Sequence, residues 1–109
     1  MCIRDRIDAV YGLVGLMEDA TERAASLDGN VLFLYGAHDQ IIPRNSAIAT
    51  ARRLPRTVRT AYYENGWHWL LRDNQREVVY QDILAYIQDP AAPLPSASPT
   101  LLPLVQANR

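Results

Sequence analysis

Five consecutive apolar residues at positions 31–35 constrain the fold of this chain more than any other feature. The turn-forming residues Asp28, Gly29 and Asn30 precede the run, and Gly36 ends it. An unbroken apolar run of this length, bounded by turns, is typical of a strand that is buried on both faces, as the strands of parallel sheets are. The sequence therefore predicts a parallel sheet with helices on both of its faces.

The segments around this run alternate between helical and strand patterns. Apolar residues recur at helical spacing over residues 7–25, 43–54 and 74–88, whereas residues 57–63 are rich in β-branched and aromatic side chains, which is typical of a second strand. Asn74 and Glu77 resemble a capping box at the start of the third helix, and we interpret Arg72 and Asp73 as a local pair or a helix-start contact. The order helix, strand, helix, strand, helix predicts an α/β fold.

Two strands are too few for a stable parallel sheet, because both edges stay unpaired and little core forms. We therefore expect residues 7–88 to be the C-terminal segment of a larger α/β domain that is truncated at its N-terminus. On its own, such a chain should be marginally stable and prone to association. Gly12 and Gly15 weaken the first helix and predict that it packs closely against a neighbour.

The two ends of the chain differ in character from its middle. Residues 1–6, Cys2 included, resemble the translated edge of a sequencing adapter joined to a truncated metagenomic gene, so we set them aside as an expected artefact. Five prolines lie within residues 89–109, mixed with alanine and serine. This composition predicts a flexible, extended tail in which Leu101 and Leu102 dock locally.

Each predicted strand is followed by a short loop that contains a proton-active side chain. Asp39 follows the first strand and His68 follows the second. The carboxyl ends of neighbouring parallel strands lie at the same edge of a sheet, where ligands bind in open α/β folds. A carboxylate at that edge can accept the Nδ1–H of an imidazole, which fixes the tautomer and leaves Nε2 to handle a proton. The sequence thus predicts an Asp39–His68 pair, two members of a nucleophile–base–acid triad.

A family resemblance rests on the first strand and the two loops, which read GAHDQIIP (residues 36–43) and NGWHWLLRD (residues 65–73). These segments resemble the α/β-hydrolase superfamily, and within it the branch of lysophospholipases, monoacylglycerol lipases and serine aminopeptidases. The resemblance implies that Asp39 is the triad acid and that His68 is the general base and acid, in the chain order serine, aspartate, histidine. It further implies a serine hydrolase without a cofactor that cleaves carboxylic esters of the monoacylglycerol or lysophospholipid type, amides and peptides being the other substrates of this branch.

The chain departs from this family because it contains no Gly-x-Ser-x-Gly motif. Its four serines, Ser26, Ser46, Ser96 and Ser98, lack that glycine frame, and the loop that supplies oxyanion-hole donors is absent as well. We therefore expect the chain alone to be inactive and the nucleophile to lie in the missing N-terminal part of the same domain. The alternative is a non-catalytic, hydrolase-like module that binds a partner through its edge strand or its Pro-rich tail.

Other aromatic and titratable residues near the predicted pair have less specific interpretations. Trp67 and Trp69, on either side of the histidine, are candidate substrate-binding residues that could line an acyl pocket, or they could simply cover the sheet edge. His38 lies beside the aspartate, but the ligand spacings of zinc motifs are missing, so we expect no metal site. Tyr62 and Tyr63 should face opposite sides of the second strand and pack in the core.

Composition argues against several other classes of protein. The formal net charge is −1, and the eleven basic residues, all arginine, are spread along the chain and outnumbered by twelve acidic residues, so we expect no nucleic-acid partner. A single cysteine excludes a disulfide framework. No apolar run reaches the roughly 18–20 residues that span a bilayer, so we expect no transmembrane segment and a location in a bacterial cytoplasm or on a membrane surface.

Overall fold

The computed structural model of the protein describes residues 6–99. Three helices alternate with two strands, and short 3₁₀ turns follow the first helix and precede the last. The elements are α1 (Ile7–Arg23), β1 (Leu32–Gly36), α2 (Arg44–Arg53), β2 (Arg59–Tyr63) and α3 (Arg76–Gln88), with 3₁₀ turns at Ala24–Ser26 and Leu70–Arg72. This order confirms the predicted α/β fold class.

β1 and β2 form a two-stranded parallel sheet. The register places Leu32 opposite Arg59 and Gly36 opposite Tyr63, so both strands end at the same edge. The first strand begins one residue later than the apolar run, because Val31 contributes only its carbonyl, which accepts the N–H of Arg59 at 3.0 Å. Among residues 6–99 the sheet contains no further strand, so the far edge of β1 is open.

The core forms two layers, one on each face of the sheet. On the α2 face, Tyr35 and Tyr62 lie 6.2 Å apart between ring centroids and pack with small residues of the helix. On the α3 face, Tyr63 packs with Val79 and Tyr86 of the helix. The two adjacent tyrosines of β2 thus face opposite layers, as predicted from the alternation of side chains along a strand. Apolar residues on both faces explain why the strand sequences show no alternation with polar residues.

α1 corrects the prediction that the first helix packs closely against a neighbour. None of its residues is buried, and its apolar side chains include Val14, 47% exposed, and Met17, 56% exposed. A side chain built at Gly12 or Gly15 would meet no atom within 4 Å. The amphipathic pattern is therefore correct for the helix, but no surface among residues 6–99 covers its apolar face.

The start of α3 corrects a second prediction. The helix begins at Arg76 rather than near Asn74, and its N-cap residue, Gln75, makes no side-chain hydrogen bond to the helix. The predicted capping box of Asn74 and Glu77 is therefore wrong. The Asn74 N–H instead donates to the Asp73 side chain at 2.6 Å, so the carboxylate one residue earlier satisfies a free backbone donor ahead of the helix.

Residues 89–99 correct part of the predicted flexible tail, because they pack against β2 and α3. Leu94 is buried in the α3 layer, and the Pro99 carbonyl accepts the N–H of Tyr62 at 2.9 Å. The buried Asp82 of α3 accepts hydrogen bonds from the Tyr63 hydroxyl at 2.7 Å and from the Ser96 N–H at 2.9 Å, and a further one from the Ser96 hydroxyl. Burial of Leu94 and satisfaction of a buried carboxylate favour the packed arrangement over a solvated tail.

Two terminal predictions fall beyond this range. The expected artefact at residues 1–6 lies outside the described residues except for Arg6, and the docking of Leu101 and Leu102 lies outside them entirely. In the part of the chain that the structure describes, no helix is both long enough and apolar enough to cross a membrane.

Candidate active site

Asp39 lies in the turn that follows β1, and backbone hydrogen bonds fix its side chain. Its Oδ1 accepts the N–H groups of Ile41 and Ile42, each at 2.8 Å. This local pattern is the Asx turn that aspartate forms readily before a helix. The turn uses only one carboxylate oxygen, Oδ1, and leaves Oδ2 available to another partner.

His68 lies in the loop between β2 and α3, and it is the partner of that second oxygen. Its Nδ1 is 2.9 Å from Oδ2 of Asp39. The aspartate side chain is 7% exposed and the histidine side chain is 34% exposed. The structure therefore brings the two sequence-predicted residues into a hydrogen-bonded pair with a shielded carboxylate and an accessible imidazole.

The two loops meet because the backbones behind them are joined directly. The Ala37 N–H donates to the Tyr63 carbonyl at 2.9 Å, and the His38 N–H donates to the Gly66 carbonyl at 2.8 Å. Gly36 makes this approach possible, because a Cβ at that position would lie 2.6 Å from the Gly66 carbonyl carbon. Any larger residue there would force the loops apart, so the glycine that ends the apolar run also sets the distance between the paired side chains.

The environment of Asp39 favours its ionised form. Desolvation opposes ionisation, but the Ile42 N–H, the His68 side chain and the Ile41 N–H outweigh it, and together they hold the pKa of Asp39 below its ordinary value. An ionised carboxylate can only accept hydrogen bonds, so Nδ1 must be the donor. Neutral His68 then carries its proton on Nδ1, and the lone pair of Nε2 is free to take up a proton.

Comparison with known proteins identifies the family of this chain. The family model described as "Serine aminopeptidase, S33", a family of α/β hydrolases, matches residues 2–75, which is more than half of the chain. The chain belongs to this family. No curated protein and no solved structure matches it.

The S33 match includes both members of the pair, but none of the four serines forms a hydrogen bond with His68. Ser26 donates to the Arg23 carbonyl, while Ser96 and Ser98 belong to the hydrogen-bonded cluster at Asp82. Ser46 lines a cavity that Asp39 and His68 also line. Within residues 6–99, the bond between Nδ1 and Asp39 is the one side-chain hydrogen bond of His68, and no serine hydroxyl pairs with its Nε2.

The two tryptophans near the pair have different surroundings. Trp67 stacks on His38, with ring centroids 5.1 Å apart, and it lines neither of the cavities that reach His68. Trp69 lines a cavity of about 370 Å³ together with His68 and Arg72, and the Arg72 guanidinium lies 5.5 Å from its ring centroid. Geometry therefore distinguishes two residues that the sequence grouped together, and only Trp69 borders space beside the imidazole.

Sequence reasoning placed Asp73 near the start of α3 but missed its contact with the histidine loop. Its Oδ2 accepts the N–H of Trp67 at 2.7 Å. A carboxylate six residues beyond a loop N–H gives no recognisable sequence signal, because the closure of the loop brings the two together. Among the described residues, no three His, Cys, Asp or Glu side chains come close enough to hold a metal ion.

Proposed function

We propose that this chain is the C-terminal part of a serine hydrolase that cleaves carboxylic esters of the monoacylglycerol or lysophospholipid type. Asp39 is the triad acid, and His68 is the general base and acid. The observation that carries the proposal is the 2.9 Å contact between Nδ1 of His68 and Oδ2 of Asp39 at the carboxyl ends of adjacent parallel strands. Membership of the S33 hydrolase family supports it.

The proposed chemistry is acyl transfer through a serine that this chain does not contain. Nε2 of His68 takes the hydroxyl proton as the serine oxygen bonds to the ester carbonyl carbon, and Asp39 stabilises the resulting imidazolium. The same proton then passes from Nε2 to the departing alcohol oxygen as the ester C–O bond breaks. A water oxygen then bonds to the acyl carbon while Nε2 takes one of the water protons. The acyl–serine C–O bond breaks, Nε2 returns the proton to the serine oxygen, and the carboxylic acid is released.

Two features support a nucleophile outside this chain. The sequence holds no Gly-x-Ser-x-Gly motif. The open edge of β1 is flanked by two cavities, about 370 Å³ on the α3 face and about 660 Å³ on the α1 and α2 side, and both reach His68. An upstream part of the same domain that docked along β1 would therefore lie close to His68.

The lining of these cavities favours an ester with an apolar acyl chain over the N-terminus of a peptide. Most lining residues are apolar, Leu34 and Trp69 among them. The acidic residue in the lining is Asp39, which already binds His68, and Arg72 carries positive charge. A peptide α-ammonium group would find no free carboxylate among the described lining residues, and the arginine would repel it.

The test compares the 109-residue chain with the product of the same gene extended upstream of codon 7, assayed on p-nitrophenyl butyrate. The chain alone should show no turnover. The extended protein should be active, and Asp39→Asn and His68→Ala should each lower kcat at least about 100-fold, because each removes general acid–base function. Asp28→Asn is the matched control, since Asp28 also accepts a neighbouring backbone N–H but lies in the turn before β1.

Each other outcome has a distinct meaning. Normal turnover in Asp39→Asn and His68→Ala would refute the assigned roles. An extended protein without hydrolase activity, and without a Gly-x-Ser-x-Gly motif upstream, would favour the non-catalytic binding module. Faster cleavage of an aminoacyl p-nitroanilide than of the ester would replace the ester by an amide substrate.

A further inference from the structure

The residue that directly precedes His68 has no regular secondary structure to hold it. Trp67 lies beyond the end of β2 and before the 3₁₀ turn at Leu70–Arg72, so no strand or helix accepts its N–H. That N–H donates instead to Oδ2 of Asp73 at 2.7 Å. A hydrogen bond to an ionised acceptor is shorter and stronger than one between neutral groups, so this contact is suited to fixing a loop backbone.

The other oxygen of Asp73 joins this contact to the start of α3. Oδ1 accepts the Asn74 N–H at 2.6 Å, and the Asp73 carbonyl accepts the Arg76 N–H at 3.1 Å. α3 is anchored in the core by Val79, whose side chain is fully buried. Asp73 therefore links the peptide before the histidine to the first turn of a packed helix.

A second contact fixes the same stretch of backbone from the opposite side. The Gly66 carbonyl, one residue before Trp67, accepts the N–H of His38 at 2.8 Å. The far end of the loop is held separately, because the Tyr80 hydroxyl donates to the Leu71 carbonyl at 2.6 Å. Hydrogen bonds to the turn of Asp39 on one side and to the carboxylate of Asp73 on the other thus hold the segment that carries His68.

We infer that Asp73 is a positioning residue for His68: by binding the Trp67 N–H, it holds the imidazole at the distance where Nδ1 donates to Asp39. The inference deepens the proposed function and rests on it. Asp73 touches neither the imidazole nor a reacting atom in this arrangement. It acts through the backbone, so its loss should release the Asp39–His68 pair without removing either member.

The experiment measures the tautomer of neutral His68 from its imidazole ¹⁵N shifts in the full 109-residue chain. The native chain should hold the proton on Nδ1, because the carboxylate of Asp39 accepts it. Asp73→Ala should lower the ratio of the Nδ1–H to the Nε2–H form about tenfold, the change expected when one hydrogen bond to a charged acceptor is lost. Asp73→Asn keeps the shape and one acceptor oxygen, and should lower the ratio about threefold; it replaces the alanine variant if that variant does not fold.

Asp89→Ala is the matched control, because Asp89 accepts the Ala91 N–H at 3.0 Å in a similar turn at the other end of α3. It should reduce the unfolding temperature as an Asp73 variant does, yet leave the His68 tautomer unchanged. An unaltered tautomer in both Asp73 variants, with only the unfolding temperature lowered, would overturn the inference and make Asp73 merely structural.

Asp39→Asn separates this inference from the proposed function. Its carboxamide should donate to Nδ1 and shift His68 to the Nε2–H form. If Asp39→Asn shifts the tautomer and the Asp73 variants do not, the positioning role fails while the pair stands. If Asp39→Asn leaves the tautomer unchanged, the pair itself fails, and the proposed function fails with it.

Discussion

The first and last helices of this chain, α1 and α3, carry similar sequence patterns, but among residues 6–99 only α3 packs in the core. α3, with β2 and residues 89–99, forms what we call the covered side, where Val79 and Asp82 are fully buried. α1 and the free edge of β1 form the open side, where no helical residue is buried. The periodicity of apolar residues thus predicts which face of a helix is suited to burial. It does not predict whether this chain contains the residues that bury that face.

Replacing one aspartate on each side should reveal the largest difference in stability between the covered side and the open side. Asp82→Ala should lower the free energy of unfolding by about 3 kcal/mol, because it leaves the Tyr63 hydroxyl and the Ser96 N–H without an acceptor. The same change at Asp19, on α1, should have an effect within about 0.5 kcal/mol. Urea unfolding followed by circular dichroism measures both, and equal losses would show that the covered side is no better packed than the open one.

A pair of valines sharpens the comparison by removing only apolar contacts. Val79→Ala should cost about 2 kcal/mol, since the Val79 side chain is fully buried between α3 and the sheet. Val14→Ala on α1 should have no measurable cost, because Val14 is 47% exposed. The same unfolding experiment applies. A loss at Val14 as large as that at Val79 would mean that α1 is covered in solution, for example by a second copy of the chain.

The smallest effect concerns a pair of tyrosines and depends on pH. Burial, the hydrogen bond to Asp82 and the charge of that carboxylate raise the pKa of Tyr63 well above its ordinary value. A raised pKa in the folded state means that the contribution of Tyr63 to stability is complete below about pH 10 and is lost as the pH rises further.

Tyr63→Phe should therefore cost about 1 kcal/mol at pH 7 and make the unfolding free energy less sensitive to pH above about pH 10. Tyr11→Phe, at a position 82% exposed, is the control and should change neither quantity. Unfolding curves collected between neutral and alkaline pH decide the matter. Parallel pH dependences in the native chain and in Tyr63→Phe would contradict the assigned contact.

The parallel sheet and the Asp39–His68 pair could be predicted from the sequence, because the local sequence patterns and the general rules of α/β folds lead to the same arrangement. The apolar run and Gly36 define β1, and the parallel arrangement then places the loop of Asp39 beside the loop of His68. The predicted strand positions differ from the structure by one or two residues at their starts. The pairing of the two side chains follows from topology, whereas their catalytic roles stay predictions.

The parts that sequence could not give depend on contacts between residues that carry no joint pattern. Asp82 has the pattern of a polar position on an amphipathic helix, yet it is fully buried and accepts the N–H of Ser96 from the segment that follows. Leu94 lies among prolines and reads as part of a tail, yet it packs beneath α3. Asn74 resembles a cap, but Asp73 is the residue whose side chain accepts a backbone N–H there. Each error arises where tertiary packing overrides a local preference.

The hydrogen bond from the Tyr62 N–H to the Pro99 carbonyl makes the two edges of the sheet different from each other. Pro99 covers the Tyr62 N–H at the outer edge of β2, and proline itself has no N–H to offer to an incoming chain. Among residues 6–99, the strand edge without a backbone partner is that of β1, so a strand added beside β1 would meet unpaired backbone groups. Self-association along that edge would relate the two copies by a two-fold axis, with the two β1 strands antiparallel.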